Sequence, residues 1–437
     1  VSEGTGGGRE VLATGRIFPE TGTSWELPPH RDQLPQQLVR RANERRVFHL
    51  LRQRGPISRS ALVRATGLSA QSVSVIIRRL LEQGLVEETG VEPQQGVGRH
   101  PIGVRIRPEG ALAFGCVIER DQIDGAWIDL SGAPVVQDTV GCPQGEEPER
   151  TIQRVEELFD RLSEAAGLPN NESRLPAIGL GLPGPIHPES QALVNPPNFP
   201  RWEGVDPRTL FSASWKLPIF CENSATAAAL GEAWQLRTEF DNFLYCHWGV
   251  GIGGGLVIDL ETYRGTTGNA LELGHVPVVA DGAQCGCGGR GCLEAEASVA
   301  AICRQAAELG LGDDFDRLVE AAPGEPRVAD LLTRAGRLLG QALVGAVNLF
   351  DVDAVVLGGH HFQDVTAWLL PPVEAAVPRL AIRRGVRPVT VRYSTLGEAA
   401  GAVGAASVVF DKLLPSSPPF VPFYARGSAL DRHAGRA

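Results

Sequence analysis

The run CGCGGRGC, Cys285 to Cys292, places three of the chain's eight cysteines within eight residues of a 437-residue sequence. Few local arrangements satisfy it. A disulfide framework is one, but Cys116, Cys142, Cys221, Cys246 and Cys303 stand singly in apolar or ordinary contexts, which offers no paired spacing to build on. A dithiol redox pair is a second, but the spacing is C-x-C followed by C-x4-C, not the C-x-x-C of that chemistry. A Gly-rich turn with free thiols is the plainest. Metal binding uses the most of the pattern. Gly286, Gly288, Gly289 and Gly291 let the backbone fold tightly enough for three thiolates to converge on one ion, and His275 in LELGHVP is the nearest nitrogen donor to complete a tetrahedron. Three cysteines and a histidine leave no coordination position for water, so such a zinc is structural and function must be sought elsewhere.

At 43% hydrophobic residues the chain can bury more than one core, and its length suggests two or three domains. No apolar run reaches the roughly 18 to 20 residues of a bilayer-spanning helix, so the expected location is the cytoplasm, with no membrane partner. Charge is uneven. Between Arg40 and Arg107 stand 13 Arg and five Glu, a net of +8, which leaves −18 for the remainder of a chain with net charge −10. A basic module on an acidic body is drawn to phosphate backbones by one end and repelled by the other.

The basic region has helical periodicity. Residues 1–37, rich in Gly, Pro and polar residues, read as a disordered segment. Asn43 is placed to cap a helix with Val47, Leu50 and Leu51 on one face, ending at Arg54-Gly55-Pro56. Ser58 opens a second helix with Leu62 inward, closed by Gly67. Ser69 caps a third in which Val73, Ile76 or Ile77, and Leu80 recur at helical spacing before Gly84. Helix, short helix, turn, helix is the helix-turn-helix arrangement. Ser69, Gln71 and Ser72 lie at the reader's amino end, where side chains reach base edges, and Arg78 and Arg79 are placed for phosphates. LVEETGVEPQQGVGRHPIGVRIR then alternates like two strands around a Gly-rich tip, a wing with Arg99 and His100 suited to phosphate or minor-groove contact.

From Ala111 the pattern turns to buried strands, Gly-rich turns and long helices. ALAFGCVIERDQIDGAWIDLSG reads as two strands around a turn, and AIGLGLPGPI as a strand entering a Gly-Pro loop. FLYCHWGVGIGGGLVIDLETYRG repeats strand, Gly-rich turn, strand, and DAVVLGGHH is a further buried strand. Two such halves predict an α/β fold, the actin-like (ribonuclease H-like) two-lobed sugar kinase architecture, preceded by an α+β winged helix-turn-helix. The expected boundaries are 38–108 for the DNA-binding domain, 109–413 for the body and 414–437 for a disordered tail.

The winged module followed by GLPGP, NPPNFPRWEG, CENSATAAALGEAW, GVGIGGGLVI, ELGHVP, CGCGGRGCLE and VVLGGHH resembles the ROK family, which groups bacterial sugar-responsive repressors with sugar kinases. The resemblance spans Asn43 to Ala406. It implies a structural zinc on His275, Cys285, Cys287 and Cys292, and sugar binding by Asn223, Glu272, His275 and Glu294. Carboxylates are good acceptors for paired sugar hydroxyls. It further implies a double-stranded DNA operator, a sugar or sugar phosphate effector, and a homo-oligomer, since winged modules of this type read palindromes as dimers.

Kinase chemistry needs a base for the sugar hydroxyl and donors for the triphosphate. Against the family's kinases the sequence departs at each part. Ser224 follows Asn223 where the kinases carry the catalytic aspartate. Glu119, Arg120 and Asp121 stand where the first phosphate loop has D-x-G-G-T, and Val250 replaces a threonine, although Gly358 and Gly359 are kept. The expectation is a transcriptional regulator, a repressor, with a catalytically inactive kinase-like sensor and no enzyme activity. A sugar kinase with a DNA-binding appendage is one alternative. A regulator without a ligand is another, because Leu271 replaces the glycine before the glutamate and Arg201 interrupts NFPRWEG.

Overall fold

The structure, a computed structural model, describes residues 36–89, 102–143, 145–168, 177–196, 199–215, 217–236 and 239–414. The chain divides into two units, Val1–Ala42 and Asn43–Ala437, and helix α1 (Gln36–Arg54) runs from the first into the second. Asn43 is therefore interior to α1 and not its cap. No Gly or Pro interrupts Gln36 to Arg54, and strong helix formers outweigh the local preference of one asparagine. The first two helical residues belong to the stretch expected to be disordered.

Helix α2 (Arg59–Thr66) starts where Ser58 accepts a hydrogen bond from the Ala61 N–H at 3.3 Å, and stops at Gly67, whose φ of 69° suits a residue without Cβ. Ser69 caps α3 (Ala70–Glu82) in the same way through the Ser72 N–H at 3.1 Å. Val47, Phe48, Leu51, Leu62, Val73, Ile77 and Leu80 close the core of this module. The wing strands β2 (Val86–Glu88) and β3 (Gly103–Ile106) are antiparallel. A short β1 (Ile57–Ser58), not foreseen, pairs with the far edge of β3 and fixes the wing to the start of α2. The wing tip, including Arg99 and His100, lies outside the described residues.

The body contains two sheets of one plan. In the first, β4 (Leu112–Ile118), β5 (Gln122–Asp129) and β6 (Pro134–Gly141) form an antiparallel meander. Then β7 (Ile178–Leu182) and β8 (Ile219–Asn223) add in parallel beside β4, giving the order β6-β5-β4-β7-β8. Helices α4 (Pro148–Ala165) and α5 (Pro207–Ser214) fill the crossovers, and α6 (Ser224–Leu236) follows β8. The second sheet repeats the scheme with β9 (Phe243–Trp248), β10 (Ile252–Ile258) and β11 (Glu261–Thr262), followed by β12 (Ala354–Gly358) and β13 (Thr390–Tyr393) parallel to β9. Its helices are α7 (Leu293–Ala297), α8 (Val299–Glu308), α9 (Phe315–Ala321), α10 (Pro326–Phe350), α11 (Thr366–Leu380) and α12 (Ala400–Leu413). This is the two-lobed actin-like fold. The unbroken apolar run of β4 follows from it, because a strand with a parallel neighbour is covered on both faces.

The lobes interlock through their last helices. Helix α6, leaving the first sheet, packs on β9 and β10, and α12, leaving the second, packs on β4, β5 and β7. Glycines set the approach: a Cβ on Gly115 or Gly179 would stand 2.0 Å from the Ala406 nitrogen or 1.8 Å from the Ala405 oxygen. One on Gly404 would meet the Ala227 oxygen at 1.9 Å, where α12 crosses α6. The winged module continues this packing, since its core runs into Trp234, Val409 and Phe410. The Arg52 guanidinium lies 4.1 Å from the Trp234 ring centroid, a cation–π contact. Among the described residues no single helix is long and apolar enough to cross a membrane.

Candidate functional site

The Cys-rich turn is built by backbone pairing before any metal is considered. Val278 N–H donates to the Gly291 carbonyl at 2.8 Å, Cys285 N–H to Gly289 at 2.9 Å, and Leu293 N–H to Val276 at 2.9 Å. Gly291 has φ 66°, and a Cβ there would lie 1.8 Å from the Val279 oxygen, so no other residue fits. His275, Cys285, Cys287 and Cys292 then bring one donor atom each within 4.8 Å of one another. Cys287 Sγ is 3.7 Å from Cys292 Sγ, and His275 Nδ1 is 3.5 Å from Cys285 Sγ. A tetrahedral zinc, with Zn–S of about 2.3 Å and Zn–N of about 2.0 Å, needs edges of about 3.8 and 3.5 Å. The donor set fits. Glu296, which sequence reasoning missed, anchors the turn: it accepts from Ala283 N–H at 2.6 Å and pairs with Arg334 of α10 at 2.8 Å.

The turn borders a cleft between the lobes that is partly open to solvent and lined by polar groups of both lobes. Asn223, Glu272, His275 and Glu294, the four residues expected to bind sugar, all line it. Asn223 ends β8 and caps α6: its Oδ1 accepts from the Ala225 and Thr226 N–H groups at 3.0 and 3.1 Å. That fixes the amide so that Nδ2 faces Gly184, where a Cβ would sit only 2.7 Å away. Glu294 on α7 accepts from the Ile252 N–H at 2.9 Å, which orients its carboxylate against Gly251. Burial raises the Glu272 carboxyl above the ordinary range; His275 opposes this and Glu294 adds to it. Leu271, just before Glu272, stands at φ 64°, a conformation that explains why glycine is usual there.

On the phosphate side protein groups pair with one another. Glu119 lies 3.5 Å from His247 Nε2. Asp124 on β5 is 2.8 Å from His360, which follows Gly358 and Gly359 on the other lobe, and Gln122 reaches the same ring at 2.7 Å. Burial lowers the His360 pKa, but the Asp124 hydrogen bond and the charges of Glu119, Asp124 and Glu398 outweigh it and bring it to about 9. Ser224 lines the cleft at the head of α6.

On α3, Gln71, Val75 and Arg78 are exposed at helical spacing, with Val75 at 52%. Val75 was not anticipated, although its place one turn after Gln71 was the available signal. Ser69 and Ser72 hydroxyls lie 2.9 Å apart, bonded to each other. Arg79 differs from expectation. Its Nη1 donates to the buried Glu44 carboxylate of α1 at 2.7 Å, so it ties two helices together and leaves only part of its side chain exposed.

A winged helix-turn-helix joined to an actin-like body, with a thiolate–imidazole cluster beside an interlobe cleft, defines a regulator built on a sugar kinase scaffold. The ROK family matches residues 115–412 and the MarR family residues 40–99. The chain belongs to the ROK family. It is 27% identical over 385 residues to the xylose repressor of Bacillus subtilis, covering 88% of this chain and 98% of that one. It superposes with TM-score 0.67 on a ROK family transcriptional regulator homologous to the E. coli MLC protein, at 26% identity over 86% of this chain and 98% of the other. A ROK glucokinase from Streptomyces griseus, solved with glucose and AMPPNP, covers 68% of this chain and 99% of its own at 29% identity and TM-score 0.60. Relatives thus include repressors and kinases at similar identity. Repressors share the DNA-binding module, and this protein is a DNA-binding transcriptional regulator.

Proposed function

We propose that the protein represses transcription in the cytoplasm as a homo-oligomer on a double-stranded operator, and that its cleft senses a sugar or sugar phosphate without phosphorylating it. Residues 38–108 form the DNA-binding domain and 109–413 the sensor, with 1–37 and 414–437 flanking them. Ser69, Gln71, Ser72 and Val75 face bases, the last suited to a thymine methyl, while Arg78 and Arg99 serve the backbone. Arg79 is assigned to the module's own packing. His275, Cys285, Cys287 and Cys292 hold a structural zinc, which keeps Glu272 and Glu294 aimed into one cavity. With Nδ1 turned to the metal, the His275 ring has Nε2 for the ligand.

One observation carries the sensor reading. The sugar side of the cleft keeps Asn223, Glu272 and Glu294, whereas the phosphate side is occupied by the Glu119–His247 and Asp124–His360 pairs, and Ser224 offers no base near neutral pH. Calorimetric titration of the purified protein with D-xylose, D-glucose and N-acetylglucosamine should detect binding of at least one, lost in Glu272→Ala, while magnesium ATP gives no heat and no phosphorylated product. Turnover of any of these sugars with ATP at an ordinary kinase rate, about 1 to 100 per second, would refute it.

A further inference from the structure

Four alternating charges run without a break from β8, on the face away from the cleft, to the first helix of the DNA-binding module. Arg264 Nε donates to Glu222 Oε2 at 2.6 Å, and its Nη2 donates to Asp411 Oδ2 at 3.3 Å. The other Asp411 oxygen, Oδ1, accepts from Arg45 Nη2 on α1. The carboxylates are nearly out of solvent, with side-chain exposures of 7% for Glu222 and 10% for Asp411. Screening by water and salt is correspondingly weak there.

Each carboxylate and guanidinium in this chain is tied to the cleft or to the module, by a short covalent path or, for Asp411, by the packing of its helix. Glu222 directly precedes Asn223 on β8, and alternation along a strand sends their side chains to opposite faces, one to Arg264 and the other to the cleft. Arg264 opens a closed loop that ends at Glu272. Ala270 N–H donates back to the Arg264 carbonyl at 3.2 Å. The Asn269 amide clamps both backbone groups of Ile186, accepting from its N–H at 2.7 Å and donating to its carbonyl at 2.9 Å. Asp411 lies near the end of α12, which also packs against the winged module. A ligand that draws Asn223 or Glu272 inward therefore moves Glu222 or Arg264 relative to Asp411.

We infer that Arg264 is a positioning residue that passes occupancy of the cleft to the DNA-binding module, by dividing its guanidinium between Glu222 and Asp411 and thereby setting how Asp411 holds Arg45. The division is unequal in this structure, 2.6 against 3.3 Å, so there is room for it to shift toward Asp411. This inference rests on the sensor reading above. Coupling needs an element that both sites bias, and the shared guanidinium is such an element.

Two measurements on the full chain test it. In ligand-free protein, Arg45→Gln should raise hydrogen–deuterium exchange in residues 219–226 and 264–272, at the opposite end of the charge chain, while α10 keeps the exchange of the unmodified protein. Unchanged exchange in both segments overturns the linkage, whatever any sugar does. The second uses a duplex that the protein selects from a random pool, with D-xylose and N-acetylglucosamine as probes. If a probe alters duplex affinity by the 5- to 150-fold usual for coupled sites, Arg264→Gln should cut that to below about twofold, with probe affinity and probe-free duplex affinity each within about threefold of the parent. Arg264→Lys should restore part of the effect. A full probe effect in Arg264→Gln also overturns the inference. If neither probe acts on the unmodified protein, the reading of the effector fails, and the exchange experiment still decides the linkage.

Discussion

Leu271 holds a left-handed backbone conformation, φ 64°, in which the Cβ of a bulky residue crowds its own chain. It persists because the side chain packs into the second lobe against Gly254, where a Cβ would meet Leu271 Cγ at 2.9 Å. Leu271→Gly releases about 1 to 2 kcal/mol of backbone strain and gives up a similar amount of burial, so stability should change by less than about 1 kcal/mol. The cleft that Leu271 lines becomes wider, and the variant should bind a broader set of sugars in calorimetric titration. A loss of several kcal/mol with unchanged selectivity would show that the side chain serves only packing. The departure from glycine was legible in the sequence through the family resemblance, but its cost was not, because φ belongs to the folded chain. The thiols and His275 were legible because convergent ligands impose a spacing. Glu222, Arg264 and Asp411 were not, because ion pairs between residues 42 and 147 positions apart leave no local pattern.

Elements were read best where a local signal opened or closed them. Ser58, Gly67 and Ser69 placed α2 and α3 by capping chemistry alone, and the strand pairs around Glu119 and Val250 followed from apolar runs broken by turns. The pairing of β1 with β3 had no such signal, since two residues of strand are defined only by the partner they meet. Helix α3 carries a prediction that separates its two arginines. Arg79→Ala removes one cation from the buried Glu44 carboxylate and should destabilise the protein by about 1 kcal/mol in urea titrations, less than a fully buried pair because Arg79 is partly exposed. Arg78→Ala should leave stability unchanged, weaken all duplexes alike and reduce the salt slope by about 1. Gln71→Ala should cost about 1 to 3 kcal/mol on a selected duplex and little on a random one. The Cys-rich turn carries another. Cys287→Ser removes one of four donors from a segment with no helix or long strand of its own, so zinc content should fall from about one per chain and the melting temperature should drop. Metal-free protein of unchanged stability would sink the structural role.

At the scale of the whole molecule, two basic features have opposite fates. The +8 of residues 40–107 was readable as an attraction to DNA; Arg59, Arg79 and Arg105 pair with Glu88, Glu44 and Glu87, which that net already counts, whereas Arg45 pairs outside the module with Asp411 and so draws on it. The lobes, conversely, are joined across the phosphate side of the cleft by His360 on Asp124, beside the Glu119–His247 pair, a role the motif VVLGGHH did not disclose. His360 titrates at about 9 in the folded protein, above the ordinary 6.5, so the folded state binds its proton more tightly than the unfolded state does. The sign follows: this stabilisation is complete below pH 6.5 and is lost as pH rises through about 9. Its full size is on the order of 3 kcal/mol. Unmodified protein should therefore show a falling urea midpoint between pH 6.5 and 9.5. His360→Gln, which keeps a neutral hydrogen-bond donor near Asp124, should begin lower and change less over that interval. Parallel slopes for the two proteins would mean that the Asp124–His360 pair does not hold the lobes together.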